Sequence, residues 1–283
     1  MNASASDSPR VNLSTLRQMK ASRQKIAMLT AYDFPTAALA QAAGVHGLLI
    51  GDSMGTVLLG HPSTRTVPLE LMVILGEAVR RGAPGVYLIG DLPYEATAGG
   101  EASVLRAAQR FREEAGCDAV KLEAAAEDVH LVSRLAQTGF ETIAHLGLRP
   151  QQISTPDGYR AQARDAESVS ELVKTAREMV AAGAAMLLLE AVPNEASEAV
   201  LAVVDVPVIG CGAGSACDGH ILVTQDMLGL GTIRPPRFVP VLSDVGQRCA
   251  DAMCRYVADI VDGTYPRPEH VYPMRSSTAS RSS

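Results

Sequence analysis

Five polar residues in this chain each close a short apolar run: Asp52 in LLIGDS, Asp91 in VYLIGD, Glu123 in DAVKLE, His145 in ETIAH and Glu190 in AMLLLE. Such runs are predicted to be buried β-strands, and in a barrel of parallel strands the C-terminal ends share the face that carries the chemistry. Carboxylates from three neighbouring strand ends supply oxygen donors that suit Mg²⁺, Ca²⁺ or Mn²⁺ rather than zinc. Mg²⁺ is favoured, because it works with few carboxylates, water and a chelating substrate. A single Asp after a strand is more simply a loop or helix cap. The recurrence on adjacent strands is what points to a site.

The residues around them fit that reading. Lys121 and Glu123 are two apart on one strand, so their side chains face the same way. In an apolar barrel mouth they need a partner or a metal. They could pair with each other, or Lys121 could stabilise negative charge developing beside a metal. His145 is either a satisfied core histidine or an acid/base group at a strand end. Glu190 follows three leucines, a setting suited to a general acid or base, or to a carboxylate bridged to a loop. Ser53, in GDSMG, is a turn serine that could also donate to a substrate carboxylate. Gly210, Gly212 and Gly214, in GCGAGSACDGH, permit a tight turn and close approach to a ligand, without the phosphate signature GK[ST]. No GxSxG, HExxH or Cys–His signature supports a nucleophile. What remains suits enolisation of an α-keto acid, in which a metal grips carboxylate and ketone oxygens as a Lewis acid and a base removes the adjacent proton.

Alternating strands and helices must position these groups. Strands are predicted at 26–31, 47–51, 86–91, 118–123, 141–145, 185–190 and 206–210, with an eighth near 228–233. Helices are predicted at 35–43, 68–81, 100–115, 126–137, 166–182, 194–203 and 243–262, and the segment 12–21 reads as a short helix plugging the barrel from below. Repeated βα units imply a parallel sheet, and about eight of them imply closure into a (β/α)8 TIM barrel. A doubly wound open sheet is the alternative, though no linker or composition shift divides the chain. The Ser-rich ends, 1–11 and 271–283, are predicted to be disordered tails around one catalytic domain, 12–270. Of 283 residues 47% are hydrophobic but only 4% aromatic, so the core must be aliphatic. The net charge of −6, without a basic stripe, argues against nucleic acid. The most apolar stretch, AAGAAMLLLEAV, is too short to cross a bilayer, and the start lacks the apolar core of a signal peptide. Five cysteines without a CxxC read as reduced thiols of a cytoplasmic protein.

The motifs TAYD, GDSMG, RRGAP, GDLPY, VKLE, HLGLRPQ, LLLEAVP, GCGAG and DGHILV, in this order, resemble the ketopantoate hydroxymethyltransferase family, from about 12 to about 270. The resemblance implies a barrel of the phosphoenolpyruvate mutase/isocitrate lyase type, Mg²⁺, 5,10-methylenetetrahydrofolate as co-substrate, and a large homo-oligomer, often a decamer. It implies that Asp52 and Asp91 bind the metal, with Glu123 as the third acidic metal-site residue. It implies that Ser53 and Lys121, beside Asp52 and Asp91, bind the keto acid, 3-methyl-2-oxobutanoate. Glu190 matches the family's catalytic acid/base and His145 its active-site histidine. The surrounding loops depart from the family pattern: Asp157-Gly158-Tyr159-Arg160 replaces Gly-Gly-Tyr-Lys, and Ala124, Ala144 and Ala163 stand where Gly is usual. STRTVP, around Arg65, and GTIRPPRF also differ from the usual segments. Three alternatives stay open: the same chemistry on another α-keto acid, folate-independent lyase or mutase chemistry, and a silent barrel kept for assembly.

Overall fold

The computed structural model describes residues 10–153, 160–231 and 234–274. Residues 1–9 and 275–283 of the predicted disordered tails, and Asp157 to Tyr159 of the altered loop, lie outside the described residues. Arg10 and Val11, assigned to the N-terminal tail, are tied to the barrel: Arg10 pairs with Asp118 at 2.5 Å and the Val11 N–H donates to the Gly85 carbonyl.

Eight parallel strands close into one barrel in sequence order: β1 (Ile26–Thr30), β2 (Gly47–Ile50), β3 (Tyr87–Asp91), β4 (Ala119–Glu123), β5 (Glu141–Gly147), β6 (Met186–Glu190), β7 (Val208–Cys211) and β8 (Gly219–Leu222). Seven strands fall where the apolar runs predict them. The eighth does not: it lies at Gly219–Leu222, beginning in the last two residues of the segment read as a turn, whereas 228–233 follows a short helix and forms no strand among its described residues. The helices are α1 (Leu13–Ala21), α2 (Phe34–Ala42), α3 (Met54–Val57), α4 (Leu69–Gly82), α5 (Tyr94–Ala98), α6 (Glu101–Glu113), α7 (Val129–Gln137), α8 (Ala166–Ala181), α9 (Asn194–Leu201), α10 (Thr224–Met227) and α11 (Val245–Val261).

Strand period two divides the core. Ile26, Met28, Leu49, Ile89, Ile143 and Ile209 face inward and fill the barrel, and Leu16 and Met19 of α1 close its N-terminal end. Alternate residues such as Leu48, Leu88, Val120, Leu122, Leu187 and Val208 face outward against the helices. Each such buried aliphatic side chain contributes about 1.5–3 kcal/mol. Asn12, Asp33 and Asp165 cap α1, α2 and α8, each accepting from a backbone N–H of the first turn. Helix α11 is different: none of its residues is buried. Among the described residues no helix is long and apolar enough to cross a membrane.

Candidate active site

The barrel filling stops below the C-terminal ends of the strands, and polar residues take over there. Register sets which of them meet. Asp91 lies opposite Lys121, Glu123 opposite His145, and Glu190 opposite Cys211. Neighbours at one level of a parallel ladder point to the same side. All but Glu190 and Ser53 of the predicted site residues are buried, and Lys121 is only 4% exposed.

Lys121 Nζ sits 2.8 Å from Asp91 Oδ1 and 3.3 Å from His145 Nδ1. Its ion pair therefore runs across the strands to Asp91. Glu123 turns one oxygen toward the backbone N–H of Gln151 at 3.0 Å, and its Oε1 stands 3.9 Å from His145 Nδ1. His145 Nε2 reaches Glu190 Oε2 at 3.2 Å. The Asp52 backbone N–H donates to Asp91 Oδ2 at 3.1 Å, so the aspartate just beyond β2 and the one ending β3 stand side by side. Ser53 Oγ is 2.8 Å from the hydroxyl of Tyr32, which follows β1. Thus Asp52, Asp91, Lys121, Glu123, His145 and Glu190 form one connected group, with Ser53 adjoining Asp52 in the chain.

The electrostatics of this group follow from burial. Three buried carboxyls face one buried ammonium. Burial pushes Asp91 and Glu123 up from the usual carboxylate range; the remaining carboxylates push the same way and Lys121 opposes them. Burial alone would lower Lys121, but the negative charges of Asp91, Glu123 and Asp52 reverse that and raise it. Burial, helped by Lys121, lowers His145, with Glu190 opposing. A lysine ammonium only donates, so His145 Nδ1 accepts from it and the imidazole proton sits on Nε2, facing Glu190.

The donor set is compatible with a hard cation. Every nearby carboxylate offers oxygen, and Glu123 Oε1 is buried without a hydrogen-bond partner. The excess negative charge is what a divalent ion would neutralise. Among the described residues no group of three or more His, Cys, Asp or Glu is arranged to hold a metal ion. The side chains would thus supply one or two carboxylates, with water and substrate completing the shell, which is how Mg²⁺ is usually held.

Two residues without an assigned role also belong to the group. Gln151, in the 3₁₀ turn Pro150–Gln152 after β5, donates from Nε2 to Asp52 Oδ2 at 3.0 Å. Tyr32, fully buried, orients Ser53. Their signals were the motifs HLGLRPQ and TAYD, since neither residue carries a charge that would mark a site. Gly212 and Gly214 have positive φ, as their expected turn requires, and a Cβ on Gly214 would meet Asn194 at 2.6 Å.

A family model described as ketopantoate hydroxymethyltransferase matches residues 10–268. The 3-methyl-2-oxobutanoate hydroxymethyltransferase of Geobacillus kaustophilus (strain HTA426) is 40% identical over 257 residues, covering 91% of this chain and 92% of the relative. That of Halalkalibacterium halodurans is 39% identical over 263 residues, covering 93% and 94%. Among solved structures, phosphoenolpyruvate phosphomutase from Streptomyces platensis subsp. rosaceus superposes with a TM-score of 0.59 at 16% identity, covering 93% of this chain and 92% of that one. 2,3-Dimethylmalate lyase, a PEP mutase/isocitrate lyase superfamily member, gives 0.58 at 16% identity, covering 92% of each chain. The last two likenesses give the barrel type.

Proposed function

From the chain's membership of the ketopantoate hydroxymethyltransferase family, which makes it a hydroxymethyltransferase, we propose that it adds a one-carbon unit from 5,10-methylenetetrahydrofolate to 3-methyl-2-oxobutanoate. The product is 2-dehydropantoate, an intermediate of pantothenate biosynthesis. The carrying observation is the buried Lys121 ammonium, held between Asp91 and His145 amid three carboxyls. A buried cation beside paired aspartates suits a substrate that carries a carboxylate and becomes more negative as it reacts.

Asp52 and Asp91 would hold Mg²⁺, with Glu123 supporting the site from beside them. Bound there, Mg²⁺ would supply Lewis acidity to the oxygens of the 2-oxo acid. The Ser53 hydroxyl, oriented by Tyr32, donates to the substrate carboxylate. Lys121 stabilises the charge that develops on the ketone oxygen. Glu190, its Oε2 3.2 Å from His145 Nε2, takes the proton from C3. Water adds at the methylene carbon delivered by the folate as both of its carbon–nitrogen bonds break, which releases tetrahydrofolate and a one-carbon unit at the formaldehyde level. The C3 carbanion bonds to that carbon, the water-derived oxygen becomes the hydroxyl, and the proton held on Glu190 passes to it.

The enzyme works as a cytoplasmic homo-oligomer on this reading. Five free cysteines support the compartment, and the unburied helix α11 supports the assembly.

Exchange of the C3 hydrogen in D₂O, followed by NMR, tests the chemistry. Exchange should require both enzyme and Mg²⁺, and Glu190→Gln should slow it about 10²–10⁴-fold. Equal rates with and without Mg²⁺ would end the metal-assisted reading, and an unaffected Glu190→Gln would remove Glu190 from the proton transfer. Product formed without folate would instead favour lyase or mutase chemistry.

A further inference from the structure

We infer that Gln151 is a positioning residue that fixes the Asp52 and Glu123 carboxylates relative to each other and so sets the metal affinity of the site. The inference rests on the reading of Asp52 as a metal-holding group.

Gln151 is 1% exposed and sits in the turn that β5 feeds at the barrel mouth. Both side-chain donors are engaged, since Nε2 lies 3.0 Å from Asp52 Oδ2 and 3.0 Å from the Leu92 carbonyl. Both neighbours are pure acceptors when Asp52 is ionised, so the amide has only one chemically sensible orientation. Its backbone N–H meanwhile donates to Glu123 Oε2 at 3.0 Å. One residue therefore grips the chain just beyond β2, just beyond β3 and at the end of β4.

These bonds do more than satisfy a buried amide. A glutamine placed only for packing could bond to any backbone group, whereas this one takes one oxygen from each of two candidate metal-site carboxylates. Asp52 in turn donates its N–H to Asp91 Oδ2, which extends the chain of contacts to the Lys121 ion pair. With Oε2 held, Glu123 Oε1 is left buried with no hydrogen-bond partner. Groups that orient metal-holding carboxylates typically change metal affinity or activity about 10–100-fold when they are removed.

Gln151→Met keeps the length and volume but deletes both side-chain donors. Gln151→Glu keeps the shape but sets an acceptor against two acceptors. Mn²⁺ is the probe, titrated into the full-length, metal-free protein and read by electron paramagnetic resonance, with Asp52→Asn alongside. The expected result is about 10–100-fold weaker Mn²⁺ binding in both Gln151 variants, each still cooperatively folded, and near-complete loss in Asp52→Asn. Wild-type Mn²⁺ affinity in folded Gln151→Met, with Asp52→Asn impaired, would overturn the positioning role and leave the Asp52 reading standing. Wild-type affinity in Asp52→Asn would overturn the Asp52 reading itself. Should one Gln151 variant fail to fold, the other decides the question by the same criterion.

Discussion

At the scale of single residues, the titration of His145 follows from who touches it. Lys121 offers only protons to Nδ1, and burial disfavours an imidazolium. His145 therefore stays neutral in the folded protein below its ordinary value of 6.5, with its proton on Nε2 toward Glu190. In the unfolded chain it protonates as pH falls through about 6.5. The unfolded state then binds more protons, so the stability attributable to His145 is full above that pH and declines below it, by at most about 1.4 kcal/mol per pH unit. The expected observation is that the urea midpoint of the wild type falls relative to His145→Asn between pH 7.5 and pH 5.5. Imidazole ¹⁵N shifts should report the Nε2–H tautomer. A pH-independent difference would contradict the neutral assignment. The titratable members of this group were legible in the sequence, because a strand-end position and a titratable side chain coincide at Asp52, Asp91, Glu123, His145 and Glu190. Gln151 and Tyr32 were not, because a neutral donor gains a role only from its partners, and those lie 99 residues away for Gln151–Asp52 and 21 for Tyr32–Ser53.

At the scale of elements, the strands that sequence reveals are those covered on both sides. Strands β2, β3 and β4 are buried along their whole length, and β2 and β3 read as apolar runs up to the polar residue that follows or ends them. Strand β8 is no shorter than β2 or β7, but His220 on its outer side is exposed, so no unbroken apolar run marked it. The glycine departures separate in the same physical way. Ala124 and Ala144 are buried and neither has a positive φ, so a Cβ at those positions costs no backbone strain. Ala163 does adopt the left-handed region, at φ 51°, and so does Ala191, at φ 50°, directly after Glu190. The two segments are tied together, since the Gln162 N–H donates to the Ala191 carbonyl at 2.8 Å. A left-handed conformation costs a non-glycine residue roughly 1–2 kcal/mol, part of which a glycine forfeits to the entropy of the unfolded chain. Ala163→Gly should therefore stabilise the protein by about 0.5–1 kcal/mol in urea unfolding. A destabilised variant would mean that the loop does not hold this conformation.

At the scale of the whole molecule, one face of the barrel lacks its cover. The outward residues Ala27 of β1 and His220 of β8 are opposite each other in register and both exposed, at the seam where the chain's last barrel helix would lie. Beside that seam, Leu39 of α2 is 72% exposed and Phe34 is half-exposed. Helix α11 meanwhile stands clear with an apolar stripe, Met253, Tyr256, Val257 and Ile260, spaced three and four apart. An amphipathic helix of 17 residues with no buried face gains little stability alone. The uncovered seam and the unused helix are complementary surfaces on the same chain. If a second copy's α11 covers the seam, the contact is reciprocal and closes on itself, as two-fold interfaces do. The protein should then sediment as an oligomer at micromolar concentration. Val257→Glu with Ile260→Glu should shift it toward monomer, because charges at the centre of such an interface cost about 2 kcal/mol or more each. No residue of the carboxylate group lies on α11, so loss of assembly should precede any loss of Mn²⁺ binding. A wild-type monomer whose α11 amides are protected from hydrogen exchange would show instead that the helix folds back onto its own barrel.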